Sequence, residues 1–161
     1  LMGRQIAAAE YDKTVLKKID LKGTPDLAFN MRISHSIWSV ANHAVDIAYT
    51  QLALGKNGIN YEDLQKIIRL GKITQEIFSN ACEAFFKGDT MLANGTVEAI
   101  YHFEETREEL IKRLGPRIFK SGQVGLHLID IIRGMNWISR HGKFIAEITI
   151  DNSVAKKSNL P

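Results

Sequence analysis

Residues 32–51 read RISHSIWSVANHAVDIAYTQ, and a looser copy returns as RGMNWISRHGKFIAEI at residues 133–148. Setting His43 on His141 gives an offset of 98 residues, which also pairs Ile33 with Ile131, Ile37 with Met135, Val40 with Ile138, Ile47 with Ile145 and Ala48 with Ala146. One register therefore aligns six positions without a gap. In each copy a seam recurs three and four residues apart, at 33, 37, 40, 44 and 47 and again at 131, 135, 138, 142 and 145. Such spacing keeps side chains on one face of a helix and is the seam of helices packed in a bundle. Both copies are read as long bundle helices, and the chain as built of repeats.

The bulk numbers narrow the classes. With 161 residues, 45% of them hydrophobic, the chain can bury the core of one domain or of two small helical units. Its 21 basic and 18 acidic residues are interspersed, so the net charge of +3 forms no arm or stripe of the kind that grips nucleic acid. A single cysteine, Cys82, excludes an internal disulfide and a cysteine-built zinc cluster; it fits a reducing cytoplasm and is expected as a core thiol. No apolar run reaches the roughly 18 residues that a membrane helix needs. Leu1 to Ala9, interrupted by Gly3, Arg4 and Gln5, does not read as a signal peptide.

Taken in order, Met2 to Ile19 places Ile6, Ala9, Val15, Leu16 and Ile19 on one broad face, as an amphipathic helix would. Under the offset it corresponds to the second half of a later helix, so roughly 40 residues are expected to be missing from the front of the first repeat. Gly23 and Thr24-Pro25-Asp26 stop and restart the chain, and a second helix is predicted from about Pro25 to Leu54. Asn60 is placed to cap a third helix carrying Leu64, Ile67, Ile68, Ile77, Cys82 and Phe85, which ends at Gly88-Asp89. A fourth helix, carrying Met91, Leu92, Val97, Ile100, Phe103 and Leu110, is expected to stop at Gly115-Pro116. The fifth, from Arg117 or Ser121 to Asp151, holds the second copy, and Asn152 to Pro161 reads as a frayed polar tail. Phe144 to Ile150, strand-like by composition, lies inside the repeated seam and is kept helical.

The run VANHAVDIA at Val40 to Ala48 resembles the signature RIGDHAVNIA of PhoU domains, regulators of phosphate uptake, and WISRHGKFIAE at Trp137 to Glu147 resembles it more weakly. The order of elements, with Gly3-Arg4-Gln5, a basic helix, a Pro-containing linker and then the signature helix, resembles archaeal PhoU-like sequences in particular. The resemblance implies an all-α fold of two tandem three-helix bundles. Residues 1–57 would be the C-terminal part of a truncated first repeat, 58–152 a second repeat and 153–161 a polar tail, about five helices in all. In the family each signature helix carries an acidic residue and, four positions on, an Asp, a pair that binds cations between helices. The matched positions here are Trp38 and Asn42, then Asn136 and Arg140, so all four carboxylates are absent.

If an ion such as iron or another divalent metal is retained, the candidate ligands are Asn42, His43, Asp46, Glu104, Glu108, His141 and Glu147. Each has a plainer reading. His43 and His141 flank a seam, where a hydrogen-bonded, half-buried histidine is the commoner outcome. Glu104, Glu105, Glu108 and Glu109 form a run that more often is a solvated face, paired as Glu108 with Lys112 and Glu109 with Arg113. His35, His102 and His127 have no histidine one turn away. Trp38 and Trp137 are read as packing residues, with a docking surface as the alternative.

No nucleophile–base pattern and no glycine-rich phosphate loop is legible, so the chain is not read as an enzyme or as a direct phosphate binder. The resemblance implies a cytoplasmic regulator acting through protein contacts with a phosphate transporter or signalling protein. It would form a homodimer, make no nucleic-acid contact of its own and reach the membrane only through its partner. Two alternatives stand beside it: a metal-binding helical bundle, and the dimerisation module of an AbrB-PhoU type transcriptional regulator.

Overall fold

The computed structural model describes residues 25–54, 59–118 and 122–158. These form four helices: α1 (Pro25–Leu54), α2 (Tyr61–Lys87), α3 (Thr90–Ile118) and α4 (Gln123–Ser158). All the regular structure among the described residues is helical, and Phe144 to Ile150 lie within α4. The helix expected over Met2 to Ile19 lies outside the described residues.

The boundaries of α2 follow from its cap residues. Asn60 Oδ1 accepts the Asp63 backbone N–H at 2.9 Å while Asn60 Nδ2 donates to Asp63 Oδ2 at 2.7 Å, so the cap and the third helical residue hold each other. At the other end Gly88 adopts φ 66°, a left-handed conformation that glycine enters without a Cβ penalty. The Asp89 N–H then returns to the Ala84 carbonyl at 2.9 Å, and the Asp89 carboxylate accepts the N–H groups of Met91 and Leu92 at 3.0 Å each. Two residues thus close α2 and open α3.

Two helix ends run past where the sequence places them. Helix α3 continues through Gly115-Pro116 to Ile118. A proline removes one bond to the carbonyl four residues back, here that of the exposed Lys112, and close to a helix end a carbonyl open to solvent can do without an intrahelical partner. Helix α4 continues to Ser158 in place of the expected tail. No Gly or Pro intervenes between Lys143 and Pro161, so no helix breaker stands in the way of the extension.

Helix α4 is the hub: it packs against α1, α2 and α3, while α1 makes no close backbone approach to α2 or α3. Gly71 and Ile77 of α2 lie against Met135 and Gly142, so α2 and α4 run parallel. Arg107 of α3 bonds Asn136, and Asp63 of α2 bonds Arg113, which fits α3 running the opposite way to both. Arg32 over Phe144 and Ile47 over Gly134 make α1 antiparallel to α4. The unit α2–α3–α4 is an up-down-up three-helix bundle around Ile67, Leu70, Ile77, Phe103, Leu114 and Ile131. A second cluster, including Ile33, Ala84, Ala93 and Ile145, closes one end.

Burial corrects part of the expected seams. On α4, Ile131, Ile138, Gly142 and Ile145 are buried and Met135 is half-buried, as a hub requires. On α1 the covered line is Ile33, Ser36, Val40, His43 and Ile47, whereas Ile37 and Ala44 are exposed. One neighbour covers only a narrow stripe, and α1 has only α4 beside it among the described residues. In α2 the buried line falls at 63, 67, 70, 74, 77, 81 and 84, which leaves Leu64 and Ile68 to one side and exposed. Met91 is exposed in the first turn of α3.

Candidate functional site

The two copies of the repeated stretch lie on α1 and α4 and pack against each other. Because the helices are antiparallel, residues near the middle of each copy meet their counterparts. The His43 ring lies 6.1 Å from that of His141 and stacks on Trp137 at 5.9 Å with 8° between planes. About two turns towards the start of α1, His35 stacks on Trp38 at 6.0 Å. Arg140 lies 5.7 Å from the Trp137 ring centre and Arg32 lies 5.0 Å from that of Phe144, both cation–π contacts. Trp137 is 45% exposed and borders the contact, while Trp38, 47% exposed, lies on the outer side of α1, so neither fills a core.

Of the expected ligands, the structure brings His43 and His141 together and leaves the others apart. Asn42 is exposed, with Nδ2 donating to the Trp38 carbonyl at 2.9 Å. Glu147 is exposed and pairs with Lys143 at 3.6 Å. Glu104 and Glu108 are exposed on α3, which does not approach α1, and Glu108 pairs with Lys112 at 3.8 Å. No group of three or more His, Cys, Asp or Glu side chains able to hold a metal occurs among the described residues. Asp46 shares with His43, but not with His141, the wall of a cleft of about 350 Å³ formed by His43, Asp46 and Thr50 of α1 and Asp130, Arg133 and Trp137 of α4. Its charges are partly matched internally, since Arg133 donates to Asp130 at 2.8 Å. The Thr50 hydroxyl donates to the Asp46 carbonyl at 2.8 Å.

No family model, curated protein or solved structure matches this chain. Among the described residues, no helix is long and apolar enough to cross a membrane.

Burial pushes the His141 imidazole below its ordinary range, and the nearby charges of His43 and His35 push it the same way. The folded chain therefore favours neutral His141, and the unfolded chain binds more protons once pH falls below about 6.5. Stability should be indifferent to this group above that pH and should decline below it, until folded His141 titrates as well. Thermal melts between pH 5 and 7.5 should show a shallower acid decline for His141→Gln than for the parent chain. Equal slopes would show that the contact does not resist the charge. Burial also pushes the half-buried Cys82 thiol up, away from the reactive thiolate.

Two polar contacts have no counterpart in the sequence reading. Arg113 pairs with Glu62 and Asp63 of α2 instead of Glu109, its Nε lying 3.1 Å from the buried Asp63 Oδ1. Arg107 of α3 donates Nη1 to Asn136 Oδ1 at 2.7 Å. Both join residues far apart in the chain, and no local spacing marks them.

Proposed function

We propose that this chain is a PhoU-like regulatory module that restrains phosphate uptake through protein contact and not through catalysis. The signature-like run Val40 to Ala48 lies on α1 and its weaker copy on α4, which supports the tandem-repeat reading. The observation that carries the contact mechanism is the outer face of α1. Trp38, Val45, Tyr49 and Leu52 are all exposed there, with 78% of Leu52 open to solvent, and they recur three, four and seven residues apart. Ala41 and Ala48 continue the same exposed line. An apolar stripe of that period accepts the matching stripe of a partner helix, the mode by which amphipathic helices are captured in grooves.

Disrupting the gene in its host should raise the uptake of labelled phosphate under phosphate-replete conditions. The parent gene should restore control, and Leu52→Asp should not, although it folds normally by circular dichroism. Uptake that responds to phosphate identically with and without the gene would end this reading. Sedimentation of the purified chain separates the dimerisation alternative: a dimer that Leu52→Asp converts to monomer would assign the stripe to a second copy.

A further inference from the structure

A second concavity lies next to the first, between α3 and α4, with a volume of about 320 Å³ and with Arg133 as a wall common to both. Its walls are Ile111 and Gly115 of α3 and Ile129 and Ile132 of α4, and its polar groups are Arg107, Arg133 and Asn136. No carboxylate lines it. Arg133 is occupied by Asp130 at 2.8 Å. Arg107 differs: Nη1 reaches Asn136 Oδ1, a neutral acceptor, while Nε is sealed from solvent without a hydrogen-bond partner. A guanidinium held half-buried with a donor unmet is costly, because a desolvated charge normally finds a carboxylate or several acceptors. Ligand clefts combine apolar walls with a few convergent polar groups, and this volume falls at the lower end of their range.

We infer that the α3/α4 cleft binds a small amphipathic organic anion, a carboxylate with an unbranched apolar tail. The tail lies along Ile111, Ile129 and Ile132, and the head meets Arg107, whose planar fork matches a carboxylate in a way an ammonium does not. Asn136 orients the guanidinium and carries no charge to repel the head. The cleft is separate from the α1 stripe, so this inference stands or falls independently of the regulatory reading.

The test is calorimetric titration of the full chain at neutral pH with octanoate below its micelle concentration, and with octanol and acetate as probes of tail and head alone. Octanoate should bind saturably at one site, and each half-probe at least about tenfold more weakly, as expected for a hydrogen bond to a charged group. Arg107→Gln should weaken octanoate by about ten- to a hundredfold and leave octanol unchanged. Ile129→Trp, at a partly exposed wall position, should abolish binding by filling the cleft and serves if Arg107→Gln does not fold. Octanol binding as tightly as octanoate, octanoate indifferent to both substitutions, or no saturable binding would each overturn the assignment.

Discussion

Phe103→Ala should cost this chain about 3–5 kcal/mol, the usual range for emptying a large aromatic site in a well-packed core. Phe103 keeps only 1% of its surface exposed and sits among Leu70, Leu110, Leu114 and Ile131, with side chains from α2, α3 and α4 converging on it. Removing the ring takes away the transfer free energy of its carbons and leaves a cavity that three crossing helices cannot collapse into. Typical domains have about 5–15 kcal/mol in total, so the variant should remain folded but lose a large fraction of its margin. Urea unfolding followed by helical circular dichroism reads this directly, as an earlier midpoint with an unchanged slope. Tyr101, two residues away on the same helix and 67% exposed, supplies the control: Tyr101→Ala should stay within about 0.5 kcal/mol. If the two variants unfold together, α3 does not present Phe103 to the hub.

What was legible in the sequence was local. Asn60 and Gly88 mark helix ends because a capping side chain and a left-handed glycine act within a few residues, and Pro25 and Leu54 bound α1 as the reading expected. Gly115-Pro116 misled because the penalty of a proline depends on whether the freed carbonyl can reach water, and that depends on where the helix ends in space. The extension of α4 to Ser158 was missed for a related reason: polar composition is compatible with a helix whenever no breaker intervenes. The direction of the α1 seam was not legible at all. Ile37 and Ala44 belong to one three-and-four series and Ser36 and His43 to another, and which is covered depends on how many helices stand beside α1. The candidate site divides the same way. Equivalence of His43 and His141 can be read from the register, but their contact requires antiparallel packing of the two copies, and Arg107 has no signal until Asn136 is brought to it.

Gly142→Val should be the second strongly destabilising substitution, and its counterpart Ala44→Val should be nearly silent. A Cβ at position 142 would lie 2.8 Å from Ile77 Cγ2 and 3.3 Å from the Phe78 Cα. Ile77 is 1% exposed and cannot swing away, and the Phe78 contact is backbone, so α2 itself would have to retreat. Glycine in a helix interior normally gives up about 1 kcal/mol relative to alanine, a cost that the close approach of α2 to α4 explains. Forcing a branched side chain into that contact should cost about 1–3 kcal/mol or more, because the overpacked neighbours cannot repack without separating the helices. Ala44 occupies the same place in the first copy but is exposed, so valine there meets only a helix-propensity cost of a few tenths of a kcal/mol. Thermal melts of the two variants measure the asymmetry between the copies. A large loss at both positions would mean that Ala44 is covered in the folded chain as its counterpart is. Losses confined to position 142 would mean that equivalent places in the two copies meet different surroundings, packed between helices in α4 and left at the uncovered edge of the stripe in α1.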